Sequence, residues 1–294
     1  MNANSKNSIL STAFSFFLLV RVQNILLLTI AFYLTARYIF VPYWSWHRLL
    51  TDMPFFLLVV STNIAVASGY IINGFYDYKK DLINRPAKTI LEQQLEQKKR
   101  LYIYFFLNFL ATGLAYLISW RAALFIAIYI FLIWFYSHKL KSITLLGNIV
   151  AAVLYIFPFF GIFLFFKKFN YFIFWHAVFL FLLLLIKDLV KSIVNIKGEM
   201  TGKNQSFPIK YGEKNTFRLI LFIAVLLIIP IIILFQYEML GDMRFYFYLF
   251  VLLFFPMLYH TVQSDKYNKT PIFYMLIKFL LLIGVFSLIL IRFR

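Results

Sequence analysis

The sequence predicts an all-α, polytopic membrane protein of about nine transmembrane helices. Hydrophobic residues fill 63% of the 294 positions and charged residues 14%, whereas a soluble domain is typically about 25% charged. Continuous apolar runs of about 20 residues recur along the chain, the length that crosses a hydrocarbon core as a helix. They lack the alternation, in segments of about ten residues, that marks a transmembrane β-barrel. Cysteine is absent, which excludes disulfides, thiolate metal sites and a Cys nucleophile. The net charge of +18 lies mostly between the apolar runs. Anionic lipid and the positive-inside rule account for it better than nucleic acid, and no nucleic-acid partner is expected.

Residues 1–16 form a polar start and a Phe-rich segment expected to lie at the interface. No cleavable signal peptide is expected, because Lys6 is the one cation there and no small-residue cleavage site follows. Span 1 is read at 17–40, with Arg21, Gln23 and Asn24 near its start. Span 2 runs over 54–76 and leads into a polar loop at 82–98. Spans 3 to 6 are placed at 100–119, 122–137, 143–166 and 171–194. A second polar stretch covers 195–215, and spans 7 to 9 follow at 216–236, 244–262 and 271–291. The whole of 1–294 is expected to form a single transmembrane domain.

Cations gather in and beside the loops that follow even-numbered spans: Lys79, Lys80, Arg85, Lys88, Lys98, Lys99, Arg100, Lys139, Lys141, Lys191, Lys197, Lys203, Lys210, Lys214, Lys266 and Lys269. The opposite loops hold Arg37, Arg48, Arg121, Lys167, Lys168 and Arg244. This asymmetry places the polar motif loops on the cytoplasmic side of an integral membrane protein.

The first motif, residues 73–88, closes span 2. Asn73, Asp77 and Asp81 are spaced by four, so on a helix their oxygens share one face over two turns. Arg85 and Lys88 lie just beyond. Oxygen ligands beside cations are what a divalent ion bridging to a diphosphate needs. Intramembrane carboxylates are costly and point to function. The second motif, 187–212, closes span 6. Asp188, Ser192, Asn195 and Glu199 recur at steps of four, three and four, flanked by Lys187 and Lys191. Asn195 and Glu199 repeat the spacing of Asp77 and Asp81. Two such arrays can grip one anionic ligand from both sides.

The expected metal ligands are Asn73, Asp77, Asp81, Asn195 and Glu199, holding Mg²⁺, which prefers one or two carboxylates plus phosphate oxygens and water. Arg85 suits bidentate phosphate contact. Lys88, Lys139 and Lys141 fit a phosphate or a lipid headgroup equally. Asp188 is read either as orienting Lys187 or as acting near the acceptor, with a helix-stapling pair as the other reading. Arg21 and Asn24 suit a cavity-facing role or helix packing. His138 is expected to be an interfacial polar tip.

Asn73-x-x-x-Asp77-x-x-x-Asp81 followed by Asn84-Arg85-Pro86 resembles the first signature of the UbiA superfamily of intramembrane prenyltransferases. Asn195-x-x-x-Glu199 with Gly202, Ser206-Phe207-Pro208-Ile209 and Gly212 is similar to the second. Tyr136-Ser137-His138-Lys139-Leu140-Lys141 with Gly147-Asn148 resembles the loop after the fourth span, and Arg21-x-x-Asn24 the first-helix motif. The run Lys191-Ser192-x-x-Asn195-x-x-Gly198-Glu199 is closest to the geranylgeranylglyceryl phosphate geranylgeranyltransferase branch. The resemblance implies a nine-helix bundle around a central cavity. It implies Mg²⁺-dependent transfer of a polyprenyl group from its diphosphate to a lipid or aromatic acceptor, with Asp77, Asp81 and Asp188 catalytic. It also implies that Arg21, Asn24, Arg85, Lys88, Lys139, Lys141 and Lys187 bind substrate. The sequence departs from the pattern at Gly74, at Ala87–Ile90, and at Ser192, Asn195 and Glu199, where aspartates are expected. A quinone- or haem-pathway prenyltransferase and a non-catalytic isoprenoid-binding relative are the alternatives.

Overall fold

The computed structural model describes residues 15–92, 96–201, 206–263 and 269–291. The interfacial lead-in over 1–14 with Lys6, and Gly202, Lys203 and Lys266, lie outside the described residues. The described elements are all helical. In order they are α1 (Val22–Thr35, extended by a π-turn Ala36–Phe40), α2 (Trp46–Thr51), α3 (Met53–Tyr76), α4 (Tyr78–Asn84), α5 (Pro86–Glu92), α6 (Gln97–Tyr116) and α7 (Trp120–His138). They continue as α8 (Leu146–Phe166), α9 (Tyr171–Val194), α10 (Ile196–Glu199), α11 (Phe207–Phe235), α12 (Arg244–Gln263) and α13 (Lys269–Ser287). Among the described residues, seven segments are long and apolar enough to cross a membrane: α1 with its π-turn, α3, α7, α8, α11, and the segments containing α12 and α13. Helices α6 and α9 occupy the places of the third and sixth expected spans, at 20 and 24 residues.

The chain divides into two compact units. The first contains residues up to Thr29, Leu50–Leu140 and Lys197–Lys203. Its centre is α3, which packs against α6 and α7. Asp52 starts α3 by accepting the Phe55 amide at 2.8 Å, with Pro54 in the first turn. The buried face of α3 is built from small residues, including Ser61, Thr62, Ala65, Ala67 and Ser68. Their hydroxyls donate back to carbonyls one turn earlier, Ser61 and Thr62 to Leu58 and Ser68 to Ala65. Small, internally satisfied side chains let helices approach closely where lipid supplies no hydrophobic drive.

The second unit contains Ile30–Leu49, Lys141–Ile196 and the chain from Asn204 onward. Its centre is α9, which packs against α8, α11 and α13. Leu183, Ile186, Leu189 and Val190 of α9 are buried with Ile220, Leu227, Phe250, Phe254 and Phe273. Helix α9 is apolar on every side over residues 182–186, as an interior helix segment is. Asn170 caps its start by accepting the Phe172 amide at 3.0 Å.

Each unit is thus built around a helix of 24 residues, and these two helices carry the two polar motifs at their C-terminal ends. Both end in the same way. Asp77 leaves helical geometry (φ −88°, ψ 0°) before the short helix α4. Asn195 does so (φ −99°, ψ 15°) before the short helix α10. The expected unbroken helical face is corrected here: each motif is a long helix, a one-residue break and a short helix. The expected loop at 82–98 likewise contains a helix, α5, which Pro86 opens. Gly212 (φ 80°) breaks α11 near its start, a conformation that a side chain disfavours.

Candidate active site

In the first unit the break at Asp77 preserves the hydrogen-bond step of four. The Asp77 amide donates to the Asn73 carbonyl at 2.9 Å, Asp81 to Asp77 at 2.8 Å, and Arg85 to Asp81 at 2.9 Å. Asp77, Asp81 and Glu199 are buried, with 7%, 8% and 5% exposure. Each is met by a donor. Asn73 Nδ2 donates to Asp77 Oδ2 at 3.0 Å. Arg85 Nη2 reaches Asp81 Oδ2 at 2.7 Å. Lys80 Nζ reaches Glu199 Oε1 at 2.5 Å. Glu199 Oε2 is buried with no hydrogen-bond partner among the described residues.

The second motif's short helix docks directly on the first's. The Gly198 amide donates to Asn84 Oδ1 at 3.1 Å. A Cβ at Gly198 would stand 2.6 Å from the Lys80 carbonyl oxygen and would also meet the Asn84 side chain. Only glycine allows this approach. Glu199 is thereby seated on α4, which also carries Asp81.

Arg21 and Asn24 reach the same end of α3 through Tyr70. The Arg21 guanidinium lies 4.9 Å from the Tyr70 ring centre, and Asn24 Nδ2 donates to the Tyr70 hydroxyl at 3.2 Å. Burial and the neighbouring Arg21 charge hold the Lys88 ammonium below its ordinary pKa, partly offset by Glu92, whose carboxylate is 3.6 Å away. Burial opposes the Arg85 charge, but its bond and attraction to Asp81 outweigh this and raise its pKa. His138 is exposed at the end of α7, stacked on Trp134 with its Nδ1 3.2 Å from the Tyr76 hydroxyl. Lys139 follows α7 as its cap.

In the second unit, Asp188 is buried and its Oδ2 accepts from Asn148 Nδ2 at 2.8 Å, which joins α9 to α8. The Lys187 ammonium sits 4.0 Å from the centre of the Tyr155 ring. The Ser192 hydroxyl donates to the Asp188 carbonyl at 3.1 Å. Asn195 caps α9, its amide bonded to the Lys191 carbonyl at 3.0 Å. Lys141 lies in the turn Leu140–Ser142.

The structure therefore brings Asn73, Asp77, Asp81, Arg85, Lys88 and Glu199 into one unit, and places Lys187, Asp188 and Asn195 on the central helix of the other. Sequence reasoning did not single out Lys80 or Tyr70, or the partners that Asn84, Gly198 and Asn148 find. Asn84 and Gly198 stood inside the motifs, but their mutual contact spans 114 positions and no local pattern shows it.

This arrangement, a membrane helical bundle with oxygen-ligand arrays at the ends of two central helices, defines a class. The UbiA prenyltransferase family model matches residues 26–283, and the chain belongs to that family. A curated relative, digeranylgeranylglyceryl phosphate synthase of Methanobrevibacter smithii, is 28% identical over 175 residues. The match covers 55% of this chain and 60% of that protein, so the chain spans less than two thirds of its length. Among solved structures, one described as giving insight into digeranylgeranylglyceryl phosphate synthase in membranes aligns with a TM-score of 0.70 at 19% identity, covering 94% of this chain and 96% of that one. A UbiA homologue of Archaeoglobus fulgidus, bound to GPP and Mg²⁺, aligns with a TM-score of 0.66 at 13% identity, covering 94% and 99%. At these identities the structural likeness shows the fold. The chain is an integral membrane protein by family and by its apolar helices.

Proposed function

We propose that this chain is a prenyltransferase. It transfers a polyprenyl, geranylgeranyl-like group from its diphosphate to a lipid acceptor such as geranylgeranylglyceryl phosphate, with Mg²⁺ as cofactor, at the cytoplasmic face. One observation carries the reading: Glu199 is delivered onto the helix of Asp81, buried, with one carboxylate oxygen lacking a partner among the described residues. Such an oxygen is costly unless something binds it. Among the described residues no three acidic or histidine side chains converge as a ready metal cage. Mg²⁺ takes one or two carboxylates and completes its shell with phosphate oxygens and water. Asp77, Asp81 and Glu199 would hold it, with the Asn73 carbonyl as a neutral ligand.

When bound, Mg²⁺ neutralises charge that gathers on the departing diphosphate. Arg85 contributes a planar fork for two phosphate oxygens, and Lys88 a second positive charge. Lys139 serves the same anion, and Lys141 and Lys187, in the second unit, serve an anionic headgroup. The allylic C–O bond breaks with its electron pair going to the diphosphate. A lone pair of the acceptor hydroxyl then captures the carbon cation, and the hydroxyl proton is released. Asn73 and Arg85 keep Asp77 and Asp81 oriented through this. Arg21 and Asn24, gathered on Tyr70, line the approach to α3. Asp188 acts from its Asn148 bond by fixing α9 in place.

The test is incubation of the purified protein in detergent with labelled geranylgeranyl diphosphate, Mg²⁺ and a panel of acceptors. Labelled product with geranylgeranylglyceryl phosphate supports the reading. Product only with an aromatic acceptor moves the chain to quinone- or haem-type chemistry. Diphosphate binding without any product makes it a non-catalytic relative.

A further inference from the structure

In the second motif, Asp188 is bonded to Asn148 on α8. Beyond it Ser192 and Asn195 are neutral, and Glu199 is the one carboxylate that reaches α4. That charge is already met. Lys80 Nζ lies 2.5 Å from Glu199 Oε1, with side-chain exposures of 14% and 6%. A buried ion pair is a poor stabilising device, because both ions lose hydration. This one is nevertheless held by a second bond on adjacent residues, Gly198 to Asn84 at 3.1 Å. Lys80 and Asn84 are four apart on α4, so one helix face grips α10 at two points. Asp81, next to Lys80, faces Arg85 instead. The site therefore has two arms: Asp77 and Asp81 on one, Glu199 and Lys80 on the other. A divalent ion recruited to the second arm would find one carboxylate and a half-buried ammonium already on it.

We propose that the Lys80 ammonium is the cation of the second arm. It remains on Glu199 while the diphosphate is bound. An ammonium has three donors; one is used on Glu199, and another reaches a diphosphate oxygen. Glu199 Oε2 stays open to the shell of a divalent ion on the first arm. The chain then loads one divalent ion per diphosphate, with lysine in place of a second. The proposal rests on the reading that this site takes a prenyl diphosphate.

The test counts ions rather than turnover. Mn²⁺ and a slowly reacting geranylgeranyl thiodiphosphate are added to the full chain in detergent, and bound Mn²⁺ is counted by electron paramagnetic resonance and equilibrium dialysis. The expected result is one Mn²⁺ per bound analogue. Lys80→Met is expected to weaken analogue binding at least tenfold, and Lys80→Arg to restore most of it. Because Lys80→Met leaves Glu199 unpaired, thermal melting in detergent checks that this variant is folded before its binding is compared. Two Mn²⁺ in the wild type would overturn the proposal and leave the prenyltransferase reading intact. Lys80→Met binding the analogue as tightly as wild type would overturn it too. Failure of the wild type to bind the analogue at all would remove both.

Discussion

Gly198→Ala is the smallest change that separates the two motifs without touching a charged group. A Cβ there would lie 2.6 Å from the Lys80 carbonyl oxygen, where ordinary contact begins at 3.4 Å. The difference, 3.4 minus 2.6, requires α10 and α4 to part by about 0.8 Å. The neighbouring atom is backbone and cannot rotate away. The same displacement stretches the 3.1 Å bond from the Gly198 amide to Asn84 and carries Glu199 off α4. Overpacking of this kind costs about 1–3 kcal/mol, too little to unfold a bundle of this size. A misplacement of about 1 Å at a reacting centre costs about a hundredfold in rate. The variant is therefore expected to fold and to lose kcat/KM by about tenfold to a hundredfold, with a higher Mg²⁺ concentration needed for half-maximal rate. The assay is a Mg²⁺ titration of prenyl transfer, with thermal melting in detergent as the folding control. Wild-type Mg²⁺ dependence and rate in a folded Gly198→Ala protein would refute the docking argument.

Other perturbations have equally definite outcomes. Asp81→Asn removes a buried carboxylate and the partner of Arg85; turnover should fall by about 10²–10³, the usual scale for one electrostatic group at a reacting centre, in the labelled-product assay. Asn148→Ala leaves Asp188 without its 2.8 Å donor and should destabilise the protein by about 1–3 kcal/mol, read as a lower melting temperature in detergent. Lys88 has a pKa below its ordinary value because of burial and Arg21, with Arg85 adding and Glu92 opposing. Its ammonium is thus lost in the folded protein at a lower pH than in the unfolded chain. The unfolded chain holds more protons across that window, so stability should rise with pH through it. Diphosphate affinity should fall over the same alkaline range, and Lys88→Met should flatten that limb of the binding profile.

The span positions were legible because bilayer thickness imposes one helix length on a continuous apolar run. Helix α9 matches the expected 171–194, and α3 falls within a residue of the expected span. The buried carboxylates stood out because acidic residues at span ends are conspicuous against so apolar a background. The breaks at Asp77 and Asn195 were hidden, since the spacing of four that suggests one helix face survives a single non-helical residue. The contacts of Lys80 and Asn84 were hidden for a different reason. Each depends on a partner more than a hundred positions away, and a lysine beside a membrane helix end looks like any other interfacial cation. Asn148 carried a polar signal inside an apolar run, but nothing local pairs it with Asp188.

Equilibrium binding of labelled geranylgeranyl diphosphate to the wild type, Asp77→Asn and Glu199→Gln, each with Mg²⁺ and with chelator, probes both arms at once. Tight binding by the wild type that chelator abolishes is expected, with binding weakened at least tenfold in either variant. Wild-type binding that ignores chelator, or full affinity in either variant, would overturn the two-armed site.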